Sequence, residues 1–439
     1  MLKTIIKREI LEYLKSAKFL IGLLIAIALT AAGMMINLQD YGVRHQDYLD
    51  AKKELKKSGF ETSIFREPQV LGVLARGKDR DLGNQLRMSI MNAPGELTGY
   101  MSGGPRRSAP ASEFSAVDFA FLVRVILSLL VVFMAYNAVS EEKANGTLKL
   151  AMSNALPRDK VLVGKLASGL LVVLAALVIA ALVAGLLVAA HPSVSLSGAD
   201  LVRMAWMLAV SALYLSAFFA LGLFVSVVTN RPAVSLMVLL QAWVFLVIIY
   251  PNLSVAAAGR LVRLPSEETL NGQKAAVMQK FDPDIKAANA ASAKGGATPE
   301  DRRRADQAWA AIEVENHEID AEFGRRQTAQ LKLAELLSAL SPAALYDQAM
   351  NRLARTDIRE YESFMEGAYR LWEKVVERWM LRYTDLEAYK KTSLPDFSFR
   401  SDTAAEAAAS LWPQGLVLVL FSLIFFALAY TGFLKKDLR

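Results

Sequence analysis

The side chains that could do chemistry in this chain stand at the wrong spacings for it. His317-Glu318 opens the His-Glu-x-x-His pattern of zinc proteases, which needs a second histidine one helical turn on; that position is Ala321. The two remaining histidines, His45 and His191, lie far off in the sequence. Gly164-Lys165 ends like a phosphate-binding loop, but Leu166 stands where a Ser or Thr hydroxyl would have to reach magnesium. Cysteine is absent, which excludes disulfides and thiolate metal sites and suits a bacterial envelope protein. No nucleophile, base and orienting group can be assembled from spacing. The expectation is a chain with no catalytic, cofactor-binding or metal-ligating residues of its own.

Two charges are placed where charge is costly. Arg124 lies inside an apolar stretch, six residues after Asp118. A cation there must be paired, hydrated or able to snorkel. Its place near one end of the stretch favours snorkelling or a structural ion pair, with a substrate-facing role as the alternative.

The elements around these residues are dominated by six apolar stretches: Phe19–Ile36, Phe119–Val139, Leu166–Ala190, Met204–Val228, Pro232–Tyr250 and Leu411–Leu434. A helix needs about 20 such residues to cover the bilayer core, and alternating barrel strands are absent. The fold class read is therefore an all-α polytopic membrane protein. The boundaries are 1–18 for an N-terminal interfacial helix, 19–36 for span one, 37–118 for a first polar block and 119–139 for span two. A loop at 140–160, spans three to five at 161–250, a second polar block at 251–410, span six at 411–434 and a tail at 435–439 complete the chain.

Basic residues set the orientation. Lys3, Lys7, Arg8, Lys15 and Lys18 precede span one, and Lys143, Lys149, Arg158, Lys160 and Lys165 follow span two. Arg231 sits between spans four and five, and Lys435, Lys436 and Arg439 close the chain, whereas the loop 191–199 has no Lys or Arg. Six spans put all four basic sets on one side, which the positive-inside rule makes cytoplasmic. Both termini are then cytoplasmic and both polar blocks outside, in a bacterial inner membrane. The net charge of +7 is thus a membrane-orienting feature rather than a nucleic-acid surface. Leu2, Ile5, Ile6, Ile10, Leu11 and Leu14 give the N-terminal helix one greasy face opposite a basic one. No small-residue cleavage site closes span one, so it reads as a retained anchor.

The first block is read as small and mixed α/β, with a charged helix over Tyr41–Lys57 and short extended pieces broken by Pro68, Gly72, Gly77 and Gly83. The second is read as helical. A heptad-like series Ala305, Trp309, Ile312, Asn316, Ile319, Phe323 predicts a long helix packed on the segment 270–285, with a flexible connector at 287–304. Ser341-Pro342 predicts a helix start. The helix it begins has Leu345, Ala349 and Leu353 near one face and Asp347, Asn351 and Arg352 on the other. It is expected either within the outside block or lying on the outer membrane surface. A final amphipathic helix carries Tyr361, Phe364, Ala368, Leu371, Trp372, Val375, Trp379 and Tyr383 on one side.

The loop after span two is the most specific feature. Glu141-Glu142 leave the span, Asn145-Gly146 stop the helix, Thr147 can cap a short new one and Pro157 ends it. A short helix with Leu148 and Met152 at a membrane turn is shaped to dock in a groove on a partner. This acidic pair, Gly-Thr-Leu, short helix, Pro-Arg and Gly-Lys resembles the cytoplasmic signature of ABC-2-type transporter permeases. The elbow-like N-terminal helix, the six spans and the turn Asn230–Pro232 agree with it. The runs VDFAFLVRVILSLLVVFMAYNAVSEEKANGTLKL, REPQVLGVLARGKDRDLGNQ and LSALSPAALYDQAMNRLARTD resemble the branch with large insertions after spans one and five, similar to gliding-motility and copper-enzyme-maturation permeases.

The resemblance implies that Glu141, Glu142, Gly146, Thr147, Leu148, Met152, Pro157 and Arg158 form the element that meets a separate ATPase. It also implies two ATPase copies carrying ATP and magnesium, a second permease chain (identical or paralogous) and no enzymatic activity in this chain. Charge-poor spans point to export of an amphiphilic or lipid-like cargo. A mechanotransmitter whose outside blocks act on an envelope partner is the alternative, and a membrane-anchored envelope enzyme is a third reading. Nucleic acid is not an expected partner.

Overall fold

The computed structural model describes residues 2–55, 62–77, 85–88, 117–148, 157–293, 298–384, 386–392 and 397–435. Among them, six helices are long and apolar enough to cross a membrane: Ala17–Asp50, Phe119–Ala144, Asp159–Ala190, Gly198–Val228, Pro232–Leu261 and Trp412–Lys435. The chain is an all-α polytopic membrane protein. Its one described strand pairing is a short antiparallel ribbon, Thr62–Phe65 against Gln85–Met88, with Ile64 opposite Leu86.

Span four lies at the centre of the bundle, packed by spans two, three and six. Close approach there depends on small residues, as expected where lipid supplies no hydrophobic drive between helices. A Cβ on Gly222 would stand 2.3 Å from that of Ala135 in span two, and one on Gly169 of span three 1.9 Å from the Phe219 ring.

The helix of span one does not stop near Ile36. It continues unbroken to Leu55, so the charged helix expected from Tyr41 is the outward extension of the span. Span five likewise runs on to Leu261. There the long helix Pro299–Ser338 lies beside it, Tyr250 donating to the Leu337 carbonyl at 2.9 Å and Gln330 to the Val262 carbonyl at 2.7 Å.

That long helix folds back on Glu267–Ala293 as an antiparallel hairpin around Val277, Phe281, Ile285, Ala308 and Ile312. Lys274–Asp320 and Lys280–Glu315 tie the two helices at 2.7 and 2.5 Å. The partner segment is the expected one, but the buried stripe runs through Ala308 and leaves Trp309 39% exposed, because alanine admits the closer approach. Most of the expected flexible connector is helical. Thr298 and Asp301 form a capping box and Pro299 takes the first turn, so helix resumes at once.

The two inserted blocks share one core. Ile64 and Leu86 of the ribbon are buried against Phe364, Ala368 and Leu371 of the helix Ile358–Thr384, with Phe397 and Phe399 beside them. The side chains of Trp379 and Tyr383 lie outside the described residues, as does the loop segment 89–116.

The helix Pro342–Ala354 is neither on a membrane surface nor packed only within the insertion. It is inserted among the spans, with Ala343, Leu345, Tyr346, Ala349, Met350 and Leu353 all buried. Four buried alanines (Ala343, Ala344, Ala349 and Ala354) allow the fit, and its one intervening carboxylate, Asp347, has a partner. Ser341 caps it as expected, accepting from the Ala344 N–H at 3.2 Å.

Candidate coupling site

Span two breaks as it leaves the bundle, and the break is held by span four. The N–H groups of Val139 and Ser140 both donate to the Ser226 hydroxyl, at 2.9 and 3.0 Å. Just beyond, the Lys143 ammonium donates to the carbonyls of Ser226 (3.3 Å), Val227 and Thr229 (3.1 Å), at the C-terminal end of span four. A cation suits that end of a helix electrostatically as well. The loop therefore starts from a rigid junction of two spans.

A second junction lies one turn away. Lys165, 3% exposed at the start of span three, donates to Glu9 of the N-terminal helix and to Glu142, each at 2.9 Å. Gly164 beside it lets that helix approach, since a Cβ would sit 2.8 Å from the Ile5 methyl. The Gly-Lys pair that looks like the end of a phosphate loop thus has a packing role and a charge-pairing role. The helix Leu2–Lys15 uses Ile5 and Glu9 to dock on span three and leaves Leu11 and Leu14 exposed.

Gly146 has φ of +71°, the left-handed region that a Cβ disfavours, with nothing within 4 Å of the missing side chain. It turns the chain by backbone conformation alone. Thr147 donates to the Glu142 carbonyl at 3.3 Å, and Asn137 donates to Glu141. Leu148 is 1% exposed, in a cluster with Val139, Leu162, Leu223 and Phe433, so it belongs to the chain's own core. The outward tip is Ala144–Thr147, with Glu141. Pro157 precedes the helix Arg158–Ala190; Met152 and the Arg158 side chain lie outside the described residues.

Gly146→Val is expected to cost about 1–2 kcal/mol through backbone strain, with no clash. Lower loop protection in hydrogen exchange, with unchanged protection in the spans, would register it. An unchanged loop would show that the left-handed turn is not maintained.

Asp118 and Arg124, the charges set at and within span two, are both half-buried and both engaged. Asp118 caps span two, accepting from Phe121 N–H at 2.6 Å, and also takes the Arg76 N–H at 2.8 Å. Burial pushes its carboxyl above the ordinary range, against the pull of those two donors. Arg124 pairs with Asp347 of the inserted helix, the ion-pair placement among the alternatives. It stands within a π-helical turn, Leu122–Leu127, and its carbonyl accepts from Tyr214 at 2.8 Å and from Ser128.

Sequence reasoning missed Glu9, Lys143, Lys165, Ser226 and Asp347. Glu9 had a signal: it is an acid on the greasy face, one turn after Ile5. Lys143 and Lys165 were concealed by looking like ordinary basic flanks of spans.

Six spans, a docked N-terminal helix and a loop tied to spans three and four make this a polytopic membrane protein. The ABC-2 family transporter protein pattern matches residues 3–438, and the chain belongs to that family. Comparison with curated proteins gives no match. The family is one of membrane subunits that work with an ATPase.

Proposed function

We propose that this chain couples ATP hydrolysis by a separate cytoplasmic ATPase, present in two copies and holding ATP and magnesium, to export of an amphiphilic or lipid-like cargo. Two permease chains pair across a bacterial inner membrane, with the basic ends of the spans cytoplasmic and the insertions outside. The observation that carries the reading is the double bracing of the loop. Lys165 joins it to the N-terminal helix and span three, and Lys143 joins it to span four. Through these contacts a push on its exposed tip reaches the N-terminal helix and spans two, three and four together.

A second reading, mechanical output to an envelope partner, draws on one observation. Span five continues as one helical rod into the region gripped by the long hairpin helix. Reconstitution with the ATPase separates the two readings. Stimulation of hydrolysis by a purified lipid-like cargo favours export, and stimulation by an envelope protein favours mechanical output. For orientation, single cysteines at Ser63 or Ala297 should react with an impermeant maleimide in spheroplasts and one at Ser153 should not; the reverse pattern would overturn the arrangement.

A further inference from the structure

The inserted helix Pro342–Ala354 takes no part in the loop junctions, yet it is seated on two irregular turns in the spans. At its start, the Ser341 hydroxyl donates to the Leu246 carbonyl at 2.6 Å, inside the π-helical turn Phe245–Ile249 of span five. Nearly two turns on, Asp347 pairs with Arg124 inside the π-helical turn of span two. Between these, Tyr346 stacks on Tyr214 of span four, ring centroids 4.7 Å apart, and its hydroxyl lies 3.2 Å from that of Ser211. At its end, Arg203 of span four donates to the Leu353 carbonyl at 3.0 Å.

The same helix is held from the other side by the insertion. Gln348 donates to the Glu335 carbonyl and the Ser338 hydroxyl, both at 3.1 Å, at the foot of the long hairpin helix. Arg352 pairs with Asp357 at 3.0 Å and with Asp402.

A π turn holds one residue more than an α turn, misaligns the carbonyls around it and persists where something secures it. Its reversion to α geometry turns the rest of the helix by about 100°. A span with such a turn can be set in two discrete ways, π or α, and contacts that favour the π turn bias the choice. That is the kind of two-state element through which distant sites communicate.

We propose that the inserted helix is a clasp. Seated, it holds spans two and five in the π setting; released, it passes their rotation to the hairpin, and Arg124 with Asp347 is the positioning pair that decides which. This rests on the ATPase-coupled reading, because that is what would drive the spans.

The test uses the full chain with its ATPase in lipid nanodiscs and exploits the absence of native cysteine. One spin-label pair, Asn145→Cys with Thr431→Cys, reports the loop side, and another, Val314→Cys with Ser195→Cys, reports the hairpin. A non-hydrolysable ATP analogue should shift both distances in the parent. Asp347→Asn, and the charge-neutral double variant Arg124→Gln with Asp347→Asn, should lose the hairpin shift, with the loop shift and ATPase rate kept within about twofold. Asp347→Glu should restore it. The double variant removes both members of the half-buried pair and leaves neither charge without its partner, which guards against simple misfolding. A full hairpin shift in both neutral variants would overturn the clasp. A parent in which the loop moves and the hairpin does not would also overturn it. A parent in which neither pair moves would overturn the coupled reading, and the clasp with it.

Discussion

Lys165→Met should destabilise the folded protein by about 3–5 kcal/mol, the range for removing one partner of a buried ion pair. The magnitude follows from what the substitution leaves behind. Glu9 and Glu142 converge on one ammonium, and the Glu9 side chain is only 11% exposed, so one carboxylate stays buried beside another with no cation between them. Methionine fills the space of the lysine stem, which isolates the charge effect from packing. A large fall in Tm of the detergent-purified protein is expected. Adding Glu9→Gln and Glu142→Gln should recover most of it, since replacing a whole buried ionic group by neutral residues is tolerated far better than breaking it. Recovered Tm with lost ATP-dependent activity would mark the triad as a brace for coupling as well as for folding. A single variant as stable as the parent would mean that the N-terminal helix and the loop are not joined through Lys165.

Leu148→Asp should be comparably severe, at roughly 4 kcal/mol or more, because a carboxylate enters an apolar cluster with no partner offered. The cluster is built from spans two, three, four and six, among them Leu162, Leu223 and Phe433. The variant should therefore lose yield and thermal stability before any question of partner binding arises. Glu141→Arg and Asn145→Asp, at the exposed tip, should leave Tm unchanged. The contrast is checked by thermal unfolding of the permease alone. A Leu148→Asp protein that unfolds like the parent would place that side chain at the surface.

The spans were legible because a bilayer demands long apolar runs, and no soluble element needs them. The start of the inserted helix was legible in Ser341-Pro342, where cap chemistry is local. Its location was not. Thirteen residues interrupted by Asp347 cannot cross a membrane, so pattern alone sends the helix into the outside block or onto the outer surface; what admits it among the spans is Arg124, 223 residues earlier. The continuity of span one into the polar block was hidden for a related reason. Hydropathy changes at Asn37 while helix propensity does not, and the helix runs through the boundary. In the loop, Gly146 announced its conformation through residue type, whereas Leu148 showed only that it is apolar, not which apolar surface it meets. Pairings such as Lys143 with the end of span four depend on how the spans pack, which no local spacing encodes.

On the proposed reading, the braced loop is the face on which an ATPase acts. Site-specific photocrosslinking tests it most directly, with a photoreactive amino acid placed at Asn145 or Thr147 and, as a control on the opposite side, at Ser195. All three positions are exposed. The account predicts an adduct with the ATPase subunit from Asn145 and Thr147 and none from Ser195. An adduct from Ser195, or none from either loop position in a complex that hydrolyses ATP, would contradict it.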